Sequence, residues 1–223
     1  NSPYNQRQDA FAKKVVRGDI TDRNGNVLAQ TDVAEDGTET RVYPYGSLFA
    51  HVIGYSDTEL GKTGLESVEN FELLTSNAFF VEKIQNEFNG TKNQGDTVVT
   101  TLDADLQQAA YDALGDNKGA VVVLEADTGK ILTMVSKPDY DPNNLAADWE
   151  TLNTDEENSP LLNRATNGSY APGSVFKIIT TLAYMRQNSD YPSYTYDCTG
   201  SITVDDTTIP CFNNTVHGFE DLM

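Results

Sequence analysis

The sequence predicts an α+β fold: a β-rich N-terminal module, then a mixed portion in which an antiparallel sheet carries helices. Three observations predict it. Asn24-Gly25, the strongest short hairpin signal, stands between strand-like runs at 15–21 and 27–31. The apolar run Gly119–Leu124 is followed, after the turn residues Asp127-Thr128-Gly129-Lys130, by a returning strand pattern at 131–136. Two stretches, Ala104–Leu114 and the residues after Ser174, show the apolar spacing of helices.

The 223 residues suffice for one large domain or two small ones. A hydrophobic content of 38% with 22% charged residues is globular rather than disordered. The net charge of −19 argues against nucleic acid or anionic lipid as partners, which it would repel. An acidic solvated surface accounts for most of that charge. No apolar run approaches a membrane span. The start at Asn1 suits a chain trimmed behind an N-terminal anchor.

In chain order, residues 6–16 suit a short helix leading into the first strand. The hairpin around Gly25 follows, then an acidic turn at 35–40. The apolar run within 50–55 marks a strand. His51 inside it is expected to be structural, because no cysteine or carboxylate accompanies it at useful spacing. A helical stretch is expected from Glu66 toward Leu74, and a short helix or strand over 79–88. The polar, glycine-containing segment 89–95 is the boundary candidate, dividing the chain into 1–95 and 96–223.

Beyond that boundary, 96–102 alternates as a strand, and Thr101 or Asp103 caps the helix Ala104–Leu114, with Leu106, Ala109, Ala110 and Ala113 on one side. Gly119–Leu124 suits a central strand buried on both faces. Residues 145–160 are acidic and loop-like, with a short helix near Trp149.

Pro172-Gly173 then leads into Ser174, where a helix with apolar residues on nearly every face should begin. Lys177 lies three residues on, on the face of Ser174. A buried lysine loses hydration, so its pKa falls and it can take a serine proton. Backbone N–H groups at a helix start favour the resulting negative charge. The plainer alternative is a capping serine and a lysine reaching water. Later, Cys198 and Cys211 flank a hairpin pattern centred on Asp205-Asp206; a disulfide and free thiols both remain open. No metal site is expected, since neither of the two histidines is spaced to complete a ligand set.

Several segments resemble a known family. Asn163-Arg164-Ala165 followed by Tyr170-Ala171-Pro172-Gly173-Ser174-Val175-Phe176-Lys177 resembles the active-site segment of penicillin-binding transpeptidases, in which S-x-x-K carries the nucleophile. Arg17, Gly18, Ile20, Asp22, Arg23 and Gly25 reproduce R-G-x-I-x-D-R-x-G, the first motif of class B penicillin-binding proteins. Gly61-Lys62-Thr63-Gly64-Leu65-Glu66 is similar to a second N-terminal motif of that class, so Lys62-Thr63-Gly64 is not the catalytic K-T-G, which follows the nucleophile. The strings at 97–107 and 119–143 are similar to the start of the transpeptidase domain.

The resemblance implies a pedestal or dimerisation-like module over 1–95 and the N-terminal part of a transpeptidase domain over 96–223. Ser174 and Lys177 are then the catalytic pair, and Arg17, Gly18, Asp22, Arg23, Gly25, Gly64 and Glu66 the structural motif residues. Arg17 or Arg23 should pair with Glu66. The implied substrate is a D-Ala-D-Ala stem peptide of peptidoglycan, with β-lactams acylating the same serine and no cofactor. Other cell-wall synthesis proteins, of division or elongation, would meet the N-terminal module on the extracytoplasmic face of a bacterial membrane. The family's S-x-N and later K-T-G do not occur after Lys177. This chain alone is therefore expected to be inactive. Two other readings stay open: a non-catalytic scaffold fragment, and a β-lactam-sensing receptor domain.

Overall fold

The computed structural model describes residues 14–77, 86 and 90–222. The helix expected to start near residue 6, and most of the element expected over 79–88, fall outside them. The chain forms two compact units, Asn1–Ser169 and Tyr170–Met223.

In the first unit, β1 (Val15–Val16), β2 (Ile20–Thr21), β3 (Val27–Val33) and β4 (Glu39–Val42) open the chain. Strands β2 and β3 form the expected antiparallel hairpin, with Gly25 at φ 88° in its turn. The expected strand over 15–21 is interrupted at Gly18, whose backbone sits against Asp96; a Cβ there would lie 2.0 Å from the Asp96 carbonyl oxygen. The break frees the two halves for different partners. β1 pairs in parallel with β7 (Asn93–Gln94), and β2 with β8 (Val98–Val99), completing a sheet of order β4-β3-β2-β8. Only Val98–Val99 of the strand expected over 96–102 is paired.

Residues 50–55 are not a strand. A 3₁₀ turn Gly46–Phe49 runs into the short helix α1 (Ala50–Ile53), which ends at Gly54 with φ 79°. Short apolar runs do not distinguish strand from helix by periodicity. The tertiary setting decides here: the helical turn buries Phe49, Ala50 and Ile53 together in the core. After the β5–β6 pair (Ser56–Asp57 with Gly61–Lys62) come α2 (Gly64–Val68) and α3 (Asn70–Leu73), the helical stretch expected around Glu66.

Helix α4 (Ala104–Leu114) is capped by Asp103, whose side chain accepts from the Leu106 amide. Its inward face differs from expectation: Leu106 is exposed and Gln107 is fully buried. The reason is main-chain satisfaction. Gln107 Nε2 donates to the carbonyls of Leu48 and Met134, each at 2.9 Å, and Oε1 accepts from the Met134 amide.

Strands β9 (Gly119–Leu124) and β10 (Ile131–Lys137) pair antiparallel. β9 is neither central nor buried on both faces: β10 is its one strand partner among the described residues, and Val122 and Leu124 are exposed. The acidic stretch expected as mainly loop contains a ten-residue helix, α5 (Leu145–Thr154), and α6 (Arg164–Asn167) closes the unit. One core spans positions before and after 95, joining Ile20, Leu28, Ile53 and Leu73 to Leu102, Tyr140 and Leu145.

The second unit holds helix α7 (Phe176–Gln187) and two antiparallel pairs. β11 (Thr195–Cys198) pairs with β14 (Gly218–Asp221), and β12 (Ser201–Val204) with β13 (Thr207–Pro210). Asp205 and Asp206 both take positive φ, 47° and 64°, as a two-residue hairpin turn of the primed type requires.

Candidate functional site

Two groups of functional candidates lie in separate units. In the first unit, the motif residues surround Glu66 and Asp22. Glu66 is fully buried at the start of α2. Its Oε2 accepts from Arg17 Nε at 2.6 Å, and its Oε1 from Arg41 Nε at 2.7 Å. Arg17 Nη1 and Nη2 donate to Asn70 Oδ1 and the Glu66 carbonyl. Burial pulls the Arg17 guanidinium below its ordinary pKa, against the attraction of Glu66. The Tyr43 hydroxyl adds a weaker contact to Oε1 at 3.3 Å, and its pKa is raised by burial and by the Glu66 charge.

Of the two arginines expected to meet Glu66, Arg17 does. Arg23 does not: it is exposed, and its amide donates to the Leu102 carbonyl. Arg41 belongs to no motif quoted above and takes the second place. The signal that could have found it was the β3–β4 register, which sets Arg41 opposite Thr31 and lets its Nη1 reach Thr31 Oγ1 and the Gly18 carbonyl.

Asp22 is also fully buried. Burial alone would raise its pKa, but hydrogen bonds from the Asn26 side chain and the amides of Asn26, Asn24 and Ala104 outweigh this and hold it low. The Ala104 contact ties the first hairpin to the start of α4. Gly64, at φ 54°, packs its backbone onto Ile53 and Gly54, where a Cβ would meet atoms at 2.7 Å. These residues join segments of the first unit.

In the second unit, Ser174 sits in a 3₁₀ turn, Gly173–Val175, that passes directly into α7, and Lys177 is in the first turn of α7. Gly173 takes φ 52° at the bend. Neither helix start uses a side-chain cap, so Ser174 is not a capping serine. Both Ser174 and Lys177 are exposed. The burial expected for α7 is absent: Phe176, Ile178, Ile179 and Leu182 are each more than half exposed. The serine and lysine are therefore arranged one helical turn apart, but in water.

The same unit brings Cys198, Cys211 and His217 together. Cys198 Sγ lies 3.5 Å from Cys211 Sγ and 3.4 Å from His217 Nδ1. Both cysteines are free thiols. Spacing alone missed His217, because the contact is made by cross-strand pairing: Cys198 stands opposite Gly218, one residue after the histidine.

Comparison with known proteins finds two domain families along the chain. Residues 17–98 match the family model for the penicillin binding protein A dimerisation domain, and residues 119–221 that for the penicillin binding protein transpeptidase domain. The chain is 43% identical over 202 residues to the peptidoglycan D,D-transpeptidase PbpA of Mycolicibacterium smegmatis, covering 82% of this chain and 40% of that protein. The chain thus spans well under half the length of this relative. Among solved structures, the D,D-transpeptidase domain of a peptidoglycan glycosyltransferase from Eggerthella lenta has TM-score 0.75 and 36% identity, over 92% of this chain and 45% of that one. The imipenem acyl-enzyme complex of penicillin-binding protein A from M. tuberculosis has TM-score 0.79 and 32% identity, over 95% and 52%.

Proposed function

As the chain belongs to the penicillin-binding protein family, with a dimerisation-domain segment followed by part of a transpeptidase domain, we propose that its parent protein cross-links peptidoglycan through Ser174. The observation that carries this is the placement of Ser174 and Lys177 on consecutive helical turns, within the segment matched by the transpeptidase model. Ser174 Oγ attacks the penultimate D-Ala carbonyl of a D-Ala-D-Ala stem peptide while Lys177 takes its proton. The C–N bond breaks, and the terminal D-Ala leaves as an amine carrying that proton. An amine of a second stem peptide then attacks the ester, forming the cross-link and releasing Ser174. A β-lactam acylates the same oxygen by opening its strained amide. The imipenem acyl-enzyme complex of the M. tuberculosis relative supports that reading.

The 1–95 module acts as the pedestal and offers a surface to other cell-wall synthesis proteins, while 96–223 carries the chemistry on the extracytoplasmic face of the membrane. The two family models, which end at 98 and begin at 119, support that division.

The 223 residues alone do not complete the reaction. A lysine serves as base when desolvated and positioned, and here Lys177 is exposed. The strand after K-T-G is expected to supply one of two oxyanion donors, and losing one donor costs about 10²–10³ in rate. The same exposure favours a second reading, in which this chain is a scaffold with no chemistry of its own.

A fluorescent penicillin tests both readings. The isolated chain should label near background. The chain mixed with the polypeptide bearing S-x-N and K-T-G should label stoichiometrically, and Ser174→Ala should abolish this. Labelling of the isolated chain at the rate of the mixture would refute the incomplete site. No labelling of a folded mixture would favour the scaffold.

A further inference from the structure

The Cys198, Cys211 and His217 group has no part in the acyl-transfer chemistry. Among the described residues it is the group of three metal-ligating side chains whose donor atoms converge, all within 4.8 Å of one another. We infer that Cys198 Sγ, Cys211 Sγ and His217 Nδ1 form a three-donor site for a borderline-soft divalent cation of the zinc type, which staples the β12–β13 hairpin to the β11–β14 pair.

The distances favour a metal over a direct S–S link. Zinc binds cysteine sulfur at about 2.3 Å and histidine nitrogen at about 2.0–2.1 Å in tetrahedral geometry. Those bonds set the S···S edge at about 3.8 Å and the S···N edge at about 3.6 Å. The observed edges, 3.5 Å and 3.4 Å, fall close to both. A disulfide would need the sulfurs about 2.0 Å apart.

The ligand chemistry agrees. Metal binds thiolate rather than thiol. Two cysteine sulfurs and one imidazole nitrogen, converging within 4.8 Å, are the donor types that a borderline-soft divalent cation takes. The backbone is also fitted to the cluster. The Cys211 amide donates to the Gly200 carbonyl at 2.9 Å, and Gly200 takes φ 95°, with no room for a Cβ beyond 3.2 Å from Asn214 and Val216. Cys198 is buried, whereas His217 is exposed and leaves a path from solvent. The fourth tetrahedral position is left for water or another donor.

The test uses the full 223-residue chain, reduced and freed of metal, with zinc titrated against a chromophoric chelator. One zinc per chain is expected, weakened about 100-fold or more in Cys198→Ser and in His217→Ala. Cobalt(II) added to the unmutated chain should give the thiolate charge-transfer and intense visible bands of a tetrahedral sulfur site. That readout stands where a variant fails to fold, and it is independent of penicillin labelling. Absence of stoichiometric zinc, or zinc affinity unchanged in Cys198→Ser, overturns the inference. So does a chain isolated with a Cys198–Cys211 disulfide that takes up no zinc once reduced.

Discussion

Arg17 binds Glu66 twice, its Nε 2.6 Å from Oε2 and its Nη2 2.5 Å from the Glu66 carbonyl oxygen. The side chains are 10% and 0% exposed. With Arg41 on the other carboxylate oxygen, one anion neutralises part of the charge of two buried cations. This cluster locks α2 against β4 and the break before β2.

Removing the anion should therefore cost far more than a surface pair. Glu66→Gln keeps the shape and leaves both guanidinium groups uncompensated, so a loss of about 3–5 kcal/mol is expected in urea unfolding. Arg23→Ala, which removes an exposed member of the same sequence motif, should change stability by about 0.5 kcal/mol or less. Equal effects at both positions would refute this account.

The motif glycines should differ by cause. Gly25→Ala meets only the backbone penalty of its positive φ, since nothing lies within 4 Å of the new Cβ; about 1–2 kcal/mol is expected. Gly18→Ala drives a methyl onto the Asp96 carbonyl and should cost about 3 kcal/mol or more. Thermal melts of the two variants, ranked the other way, would contradict the packing described.

His51 gives a pH dependence of known sign. Burial lowers its pKa below 6.5, with Arg164 adding to this while the Pro138 carbonyl and Asp139 oppose it. The unfolded chain then takes up the proton first as pH falls. The contribution of His51 to stability is constant well above about 6.5, declines as pH drops through that value, and levels off below the folded pKa. Urea midpoints for wild type and His51→Asn, at pH about 7.5 and about 5.5, should show a smaller pH change in the variant. Parallel changes would assign the dependence to other groups.

The uncovered face of α7 should behave as surface in this chain. Ile179 and Leu182 are 54% and 52% exposed, so changing either to Lys should alter stability by about 0.5 kcal/mol or less while reducing binding of a hydrophobic dye. A loss of several kcal/mol would mean that the face is buried in solution.

Local chemistry is what the sequence by itself determined. Asn24-Gly25 has to turn, since both flanks alternate and glycine tolerates positive φ. Ala104–Leu114 has to start just after a capping side chain, Thr101 or Asp103, that satisfies an amide the helix leaves free; the structure uses Asp103. Ser174 and Lys177 have to share a helical face, because three residues make about one turn. These facts depend on near neighbours, as did the family motifs around them.

Whatever depended on distant neighbours was decided by the tertiary structure. Residues 50–53 became helix because that turn fits Phe49 and Ile53 into one core. Gln107 displaced Leu106 from the inward face because three main-chain groups of Leu48 and Met134 needed partners. Arg41, rather than Arg23, reached Glu66 through the β3–β4 register, and His217 reached Cys198 through β11–β14. In each case the choice falls to burial and hydrogen-bond satisfaction between segments tens of residues apart, which no local pattern records.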